Sequence, residues 1–205
     1  MDPQPVSSLR FWATTQICGL LFFAIMGVLG MLVEASDAGC MYVTPIFFMV
    51  FVLVYPAARL RRFGAATAVF ILYATVGSFI EYQMQWVSER QLASPWGGLA
   101  WGLLGVLVGL TTDLAFRFFP STLAPAWRGA LAGALAGLAF FATTYVAMTT
   151  LYASPASQQS HFVFFSSRAL FSTVWMALNG AFAGYCAIAM AARSGFRPHT
   201  AIASA

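Results

Sequence analysis

Six long apolar runs, separated by short polar or proline-containing stretches, dominate this sequence. Each approaches the roughly 20 residues that an α-helix needs to cross the hydrocarbon core of a bilayer. Only 8% of the 205 residues are charged, too few to cover a water-exposed surface. We therefore expect an all-α integral membrane protein: one domain, residues 1–205, folded as a bundle of six transmembrane helices. A count of five, with one run merged or discarded, is the alternative. The predicted spans are residues 11–33, 41–58, 63–82, 97–116, 129–152 and 169–192.

The arginines predict the orientation of these spans, because cytoplasmic loops of membrane proteins carry an excess of basic residues. If the N-terminus is inside, the cytoplasmic side receives Arg10, Arg59, Arg61, Arg62, Arg117, Arg128, Arg193 and Arg197. Only Arg90 and Arg168 then lie outside. This split predicts cytoplasmic N- and C-termini in a multi-pass protein of the cell (inner) membrane. The basic net charge is explained in the same way, so it does not indicate a nucleic-acid partner.

The sequence contains none of the common catalytic motifs. HExxH, GxSxG and the phosphate-binding P-loop are all missing. The two histidines, His161 and His199, fall in an outer loop and in the C-terminal tail, and no cysteine lies in a CxxC pair. Haem or metal chemistry in a bundle needs clustered ligands at membrane depth. We therefore expect no enzyme activity, no metal site and no cofactor.

A group of polar and aromatic residues closes the third predicted span on its outer side. On a continuing helix, Glu81 and Gln85 share one face, as do Tyr82 and Trp86. A carboxylate, an amide and two rings on adjacent turns suit a flat cationic ligand, which the rings stack on and the carboxylate neutralises. The alternative is an ordinary aromatic belt at the membrane interface.

Two further polar residues lie inside predicted spans, where polar groups are costly. Asn179 lies one helical turn after Trp175, and its amide needs either another helix or a ligand as partner. Asp113 lies four residues before Arg117, and a local ion pair between them is the explanation that we favour.

The fifth span carries glycines at helical spacing, namely Gly129, Gly133 and Gly137. Small residues four apart let two helix backbones approach closely in a membrane. The stripe predicts either packing inside the bundle or a docking face for a partner protein.

Four short stretches together resemble a known family. They are Arg61-Arg62-Phe63-Gly64-Ala65-Ala66, the carboxylate Glu81, Ser94-Pro95-Trp96-Gly97-Gly98, and Asp113-Leu114-Ala115-Phe116. Their order is similar to that in substrate-binding (S) components of energy-coupling factor (ECF) transporters, of the YkoE-like hydroxymethylpyrimidine/thiamine permease type. Two positions depart from the family pattern: Phe63 stands where proline is usual, and Asp113 where glutamate is usual.

The resemblance implies a vitamin-uptake protein that captures thiamine or its pyrimidine precursor on the outer face. It would transfer the ligand inward only when bound to a transmembrane coupling subunit and ATPase subunits. The implied ligand-binding residues are Glu81, Tyr82, Gln85, Trp86, Trp96, Tyr145, His161, Trp175 and Asn179. The alternative function is a non-catalytic accessory subunit of a larger membrane complex, which would bind no ligand of its own.

Overall fold

A computed structural model describes residues 7–36, 46–72, 75, 96–150, 159, 162–163 and 165–193. These residues are overwhelmingly helical, which confirms the predicted all-α class. The helices are α1 (Ser8–Ser36), α2 (Ile46–Leu60), α3 (Ala65–Leu72), α4 (Trp96–Phe118), α5 (Pro125–Thr150) and α6 (Ala169–Arg193).

The described helices have the length and apolar surface of a membrane protein. Three stretches in this part of the chain are long and apolar enough to cross a bilayer: Ser8–Ile25, Pro125–Ala147 and Ala169–Arg193. α2 is a shorter apolar helix of 15 residues. Large apolar side chains cover the outside of the bundle, as Leu170, Leu178 and Phe182 on α6 illustrate. A surface of this kind is stable in lipid and would aggregate in water.

α2 lies at the centre of the helical packing. On one side, its residues Met49 and Leu53 pack with Phe22 of α1 and Phe70 of α3. On the other side, its residues Ile46, Val50 and Val54 pack with α5 and α6, where Met176 is among the buried side chains. The helix therefore joins the two halves of the bundle through two separate apolar clusters.

The turn between α2 and α3 is short and cationic. It reverses the chain within residues 61–64, where Arg61 has a φ of 50° and Gly64 a φ of 88°. Gly64 accepts the first intrahelical bond of α3, from the amide of Ala68 at 2.9 Å. Glycine tolerates this left-handed conformation, but it has no side-chain oxygen to accept the free N–H groups at the start of the helix.

α5 and α6 pack antiparallel with their backbones in contact. A Cβ atom added to Gly133 would collide with the carbonyl oxygen of Gly180 and lie 2.9 Å from the Cα of Gly184. One added to Gly184 would collide with the carbonyl oxygen of Gly129. Gly137 makes the same kind of approach to Met176. The glycine stripe therefore packs against α6 of the same chain, so a partner could dock on this face only by displacing α6.

The helices place most of the described arginines at one end of the bundle. At that end, Phe11 of α1 packs with Ala65 at the start of α3, and Arg128 at the start of α5 bonds to Phe116 near the end of α4. The α5–α6 pairing brings the end of α6 to the same place. Arg168 lies at the opposite end of α6. The arginine-rich end carries Arg10, Arg59, Arg61, Arg62, Arg117, Arg128 and Arg193.

Candidate functional site

A buried carboxylate is the central polar feature of the arginine-rich end. Asp113 of α4 is 3% exposed. One of its oxygens accepts the backbone N–H of Ala66 at 3.1 Å. The other accepts the backbone N–H of Thr67 at 2.9 Å and the hydroxyl of Thr67 at 2.6 Å. Asp113 thus satisfies three donors at the start of α3, from a different helix.

This arrangement is a helix N-cap supplied from outside the helix. A capping residue ordinarily accepts the N–H groups of the second and third helical residues through its own side chain. The residue in the capping position of α3 is Gly64, which lacks one. Ala66 and Thr67 are the second and third residues of α3, and Asp113 accepts both of their N–H groups. The positive end of the helix dipole also favours a negative charge at this point.

The predicted ion pair between Asp113 and Arg117 is wrong. The two oxygens of Asp113 are directed to α3, where three donors offer better geometry than one flexible guanidinium. Arg117 is exposed instead, and its guanidinium lies over the ring of Phe63 at 5.6 Å from the centroid. Such a contact is within the range of a cation–π interaction.

One face of α4 is built to receive α3. Gly105, Gly109 and Asp113 are spaced four apart, so they lie on one face of the helix. A Cβ atom on Gly109 would lie 2.7 Å from the Cα of Thr67, and one on Gly105 would lie 2.8 Å from the ring of Phe70. The two glycines allow the close approach, and the carboxylate then reaches the backbone of α3.

Two of the stretches that carry the family resemblance meet at this junction. Residues 61–66 form the turn and the start of α3, and residues 113–116 lie near the end of α4. They are joined by the bonds of Asp113 to Ala66 and Thr67, across a sequence separation of 47 and 46 residues. The pattern is therefore tied to a specific contact between two helices. The feature of the sequence that points to this contact is the start of α3, where the capping position holds no Ser, Thr, Asp or Asn.

Aromatic rings hold several of the arginines that surround this junction. The guanidinium of Arg62 lies over the ring of Phe11 at 4.6 Å from the centroid, and Phe11 makes an edge contact with Trp12. Arg128 donates from Nη2 to the carbonyl oxygen of Phe116 at 2.8 Å. This bond satisfies a free carbonyl near the end of α4, where a cation is favoured by the helix dipole.

The described candidates for ligand binding lie on α5 and α6. Tyr145 packs edge-on against Phe165 at 6.0 Å between ring centroids and also approaches Phe162. Trp175 is 40% exposed and stacks on Phe171. These contacts are of the kind found in an interfacial aromatic belt as well as in a ligand site.

Asn179 finds a partner within its own helix. Its Nδ2 donates to the carbonyl oxygen of Trp175 at 3.0 Å. The sequence predicted a partner on another helix or a ligand, but Nδ2 bonds to neither of these. An amide carries a second N–H and a carbonyl oxygen, so the bond uses only part of its hydrogen-bonding capacity.

The remaining candidates fall outside the described residues. These are Glu81, Tyr82, Gln85, Trp86 and His161, together with the side chain of Trp96 at the start of α4. The outer ligand pocket that they would form stays a prediction. Within the part of the chain that the structure describes, no three His, Cys, Asp or Glu side chains are grouped to hold a metal ion.

Comparison of the chain with protein-family models, with curated proteins and with solved structures finds no match.

Proposed function

We propose that this protein is the substrate-capture subunit of an ECF-type importer for thiamine or its pyrimidine precursor. The observation that carries the proposal is the junction between α3 and α4. The resemblance to S components rests in part on residues 61–66 and 113–116, and Asp113 joins these two stretches by three hydrogen bonds. Motifs that contact each other in the fold support a resemblance to a family better than the same short motifs without any contact.

In this proposal, the arginine-rich end faces the cytoplasm and the ligand enters from the opposite side. Glu81 neutralises the cationic ring of the ligand, and Tyr82 and Trp86 stack on it. Tyr145 and the unused part of the Asn179 amide contribute from α5 and α6. A transmembrane coupling subunit and ATPase subunits supply the energy for transfer, since the chain has no P-loop.

Calorimetry on the detergent-purified protein tests the proposal, with thiamine and hydroxymethylpyrimidine as the titrants. Thiamine should bind, and Glu81→Gln should weaken its binding roughly ten- to a hundredfold, because a charge-assisted contact contributes about 1.5–3 kcal/mol. Tyr82→Ala and Trp86→Ala should also weaken binding, through lost stacking.

Glu89→Gln is the matched control, because it removes a carboxylate from the same predicted outer region without touching the proposed site. Its affinity for thiamine should equal that of the parent. If neither compound bound the parent protein, the vitamin-capture function would be wrong and the accessory-subunit alternative would be favoured. If Glu81→Gln bound as well as the parent, Glu81 would be only an interfacial helix end.

A further inference from the structure

Arginine–ring contacts link three elements at the arginine-rich end of the bundle. Arg62, in the turn between α2 and α3, lies over Phe11 of α1. Arg117, near the end of α4, lies over Phe63 of the same turn. Arg10 precedes Phe11 directly, and Arg10, Arg62 and Arg117 are all exposed. The ring contacts of Arg62 and Arg117 therefore link α1, the turn and α4.

The positive charge of this surface is not neutralised by the described protein. The one carboxylate that the described residues place at this end is Asp113, which is buried and accepts its three bonds from Ala66 and Thr67. Arg62 and Arg117 instead contact aromatic rings. A guanidinium over a ring keeps its N–H donors in its own plane, where they remain able to bind a phosphate.

Exposed apolar side chains lie directly beside the arginines. Phe63 in the turn is 50% exposed and Trp12 on α1 is 47% exposed. A site for a free anion or for an acidic protein has no need of this apolar continuation. A phospholipid does, because its acyl chains extend from the phosphate into the hydrocarbon core.

From this juxtaposition we propose that the surface formed by Arg62 and Arg117 with Phe11 and Phe63 binds the headgroup of an anionic phospholipid. The phosphate accepts N–H donors from the guanidinium groups, and the acyl chains extend past the exposed rings of Trp12 and Phe63 into the hydrocarbon core. The proposal is independent of vitamin capture, since it uses the opposite end of the bundle.

Native mass spectrometry of the detergent-purified protein tests this site, by titration with phosphatidylglycerol and with phosphatidylcholine of the same acyl chains. The parent should prefer phosphatidylglycerol. Arg62→Gln and Arg117→Gln should each weaken its binding about fivefold, and the double variant about 25-fold, as expected for roughly 1 kcal/mol per basic residue near the headgroups. Binding of phosphatidylcholine should not change, which also shows that the variants are folded.

Arg168→Gln is the control, because it removes an exposed arginine from the opposite end of α6. It should keep the parent's preference. The double variant Arg62→Lys and Arg117→Lys should keep it as well, because it retains both charges. Equal binding of the two lipids by the parent, or an undiminished preference in the double Gln variant, would overturn the proposal. The proposal would also be overturned if free glycerol phosphate displaced phosphatidylglycerol completely. It would be overturned as well if the double Gln variant kept its lipid binding but no longer co-purified with a protein that the parent binds.

Discussion

Replacement of Asp113 by alanine should be the most destabilising single change at the arginine-rich end. It removes three hydrogen bonds to a charged acceptor and leaves the buried N–H of Ala66 without its partner. Bonds to charged groups contribute about 1.5–3 kcal/mol each, so the three together set an upper bound of about 4.5–9 kcal/mol. Water at the helix end replaces part of this loss. We therefore expect a loss of about 3–5 kcal/mol, similar to the removal of one partner from a buried ion pair.

Asp113→Asn removes the negative charge but keeps the size and shape of the side chain. The amide keeps one carbonyl oxygen for α3 but loses the negative charge at the positive end of the helix dipole. We expect a smaller loss of about 1–2 kcal/mol, in the range of a weakened N-cap. Thr111→Ala is the control on the same helix, because Thr111 donates only to the carbonyl of Leu107 one turn earlier. Its effect should stay within about 0.5 kcal/mol.

Unfolding of the detergent-purified protein by increasing dodecyl sulfate, followed by tryptophan fluorescence, measures these changes. Hydrogen exchange followed by mass spectrometry locates them, because the amides of Ala66 and Thr67 should lose protection before the rest of α3. If Asp113→Ala unfolded within 1 kcal/mol of the parent and the exchange of these amides were unchanged, the cap would contribute nothing and our reasoning would be refuted.

Two further predictions concern packing and orientation. Gly133→Ala should destabilise the protein by about 1–3 kcal/mol in the same unfolding assay, because the added methyl collides with Gly180. Leu131→Ala, on the exposed face of α5, is the control and should have a much smaller effect. Equal effects of the two variants would contradict the close approach of α5 and α6. In a cysteine-free background, an impermeant thiol reagent added to intact cells should label a cysteine introduced at Ser166 but not one at Ser121. The reverse labelling would show that the arginine-rich end faces outward.

Hydropathy alone predicted the all-α class that the described residues show. The predicted span 97–116 corresponds to α4 (Trp96–Phe118), and the predicted span 169–192 to α6 (Ala169–Arg193). Apolar length is a strong signal in a membrane protein because every backbone polar group in lipid must be satisfied within a helix.

The ends of the helices depended on capping, which hydropathy does not report. α1 begins at Ser8, earlier than predicted, because the hydroxyl oxygen of Ser7 accepts the N–H of Arg10 at 3.3 Å. α5 begins at Pro125 rather than at Gly129. Proline is favoured in the first turn of a helix, where its missing N–H costs nothing.

The role of Asp113 could not be predicted from its neighbours in the sequence. Local spacing offers Arg117 as a partner, whereas the true donors lie 46 and 47 residues away. Gly64 shows that the start of α3 needs a capping side chain from elsewhere, but the sequence does not show which residue supplies it. For Asn179 the error was the opposite one. The prediction was a partner on another helix or a ligand, whereas Nδ2 donates to the carbonyl oxygen of Trp175 one turn earlier in the same helix.

The cap of α3 also sets an order of events during synthesis. Ala66 is synthesised before Asp113, since the carboxylate lies 47 residues later in the chain. At about 5–20 residues per second, that interval lasts roughly 2–9 s. During this time only water at the membrane surface is available to accept the free N–H groups at the start of α3. The hydrogen bonds that cap α3 can therefore form only after α4 has been synthesised.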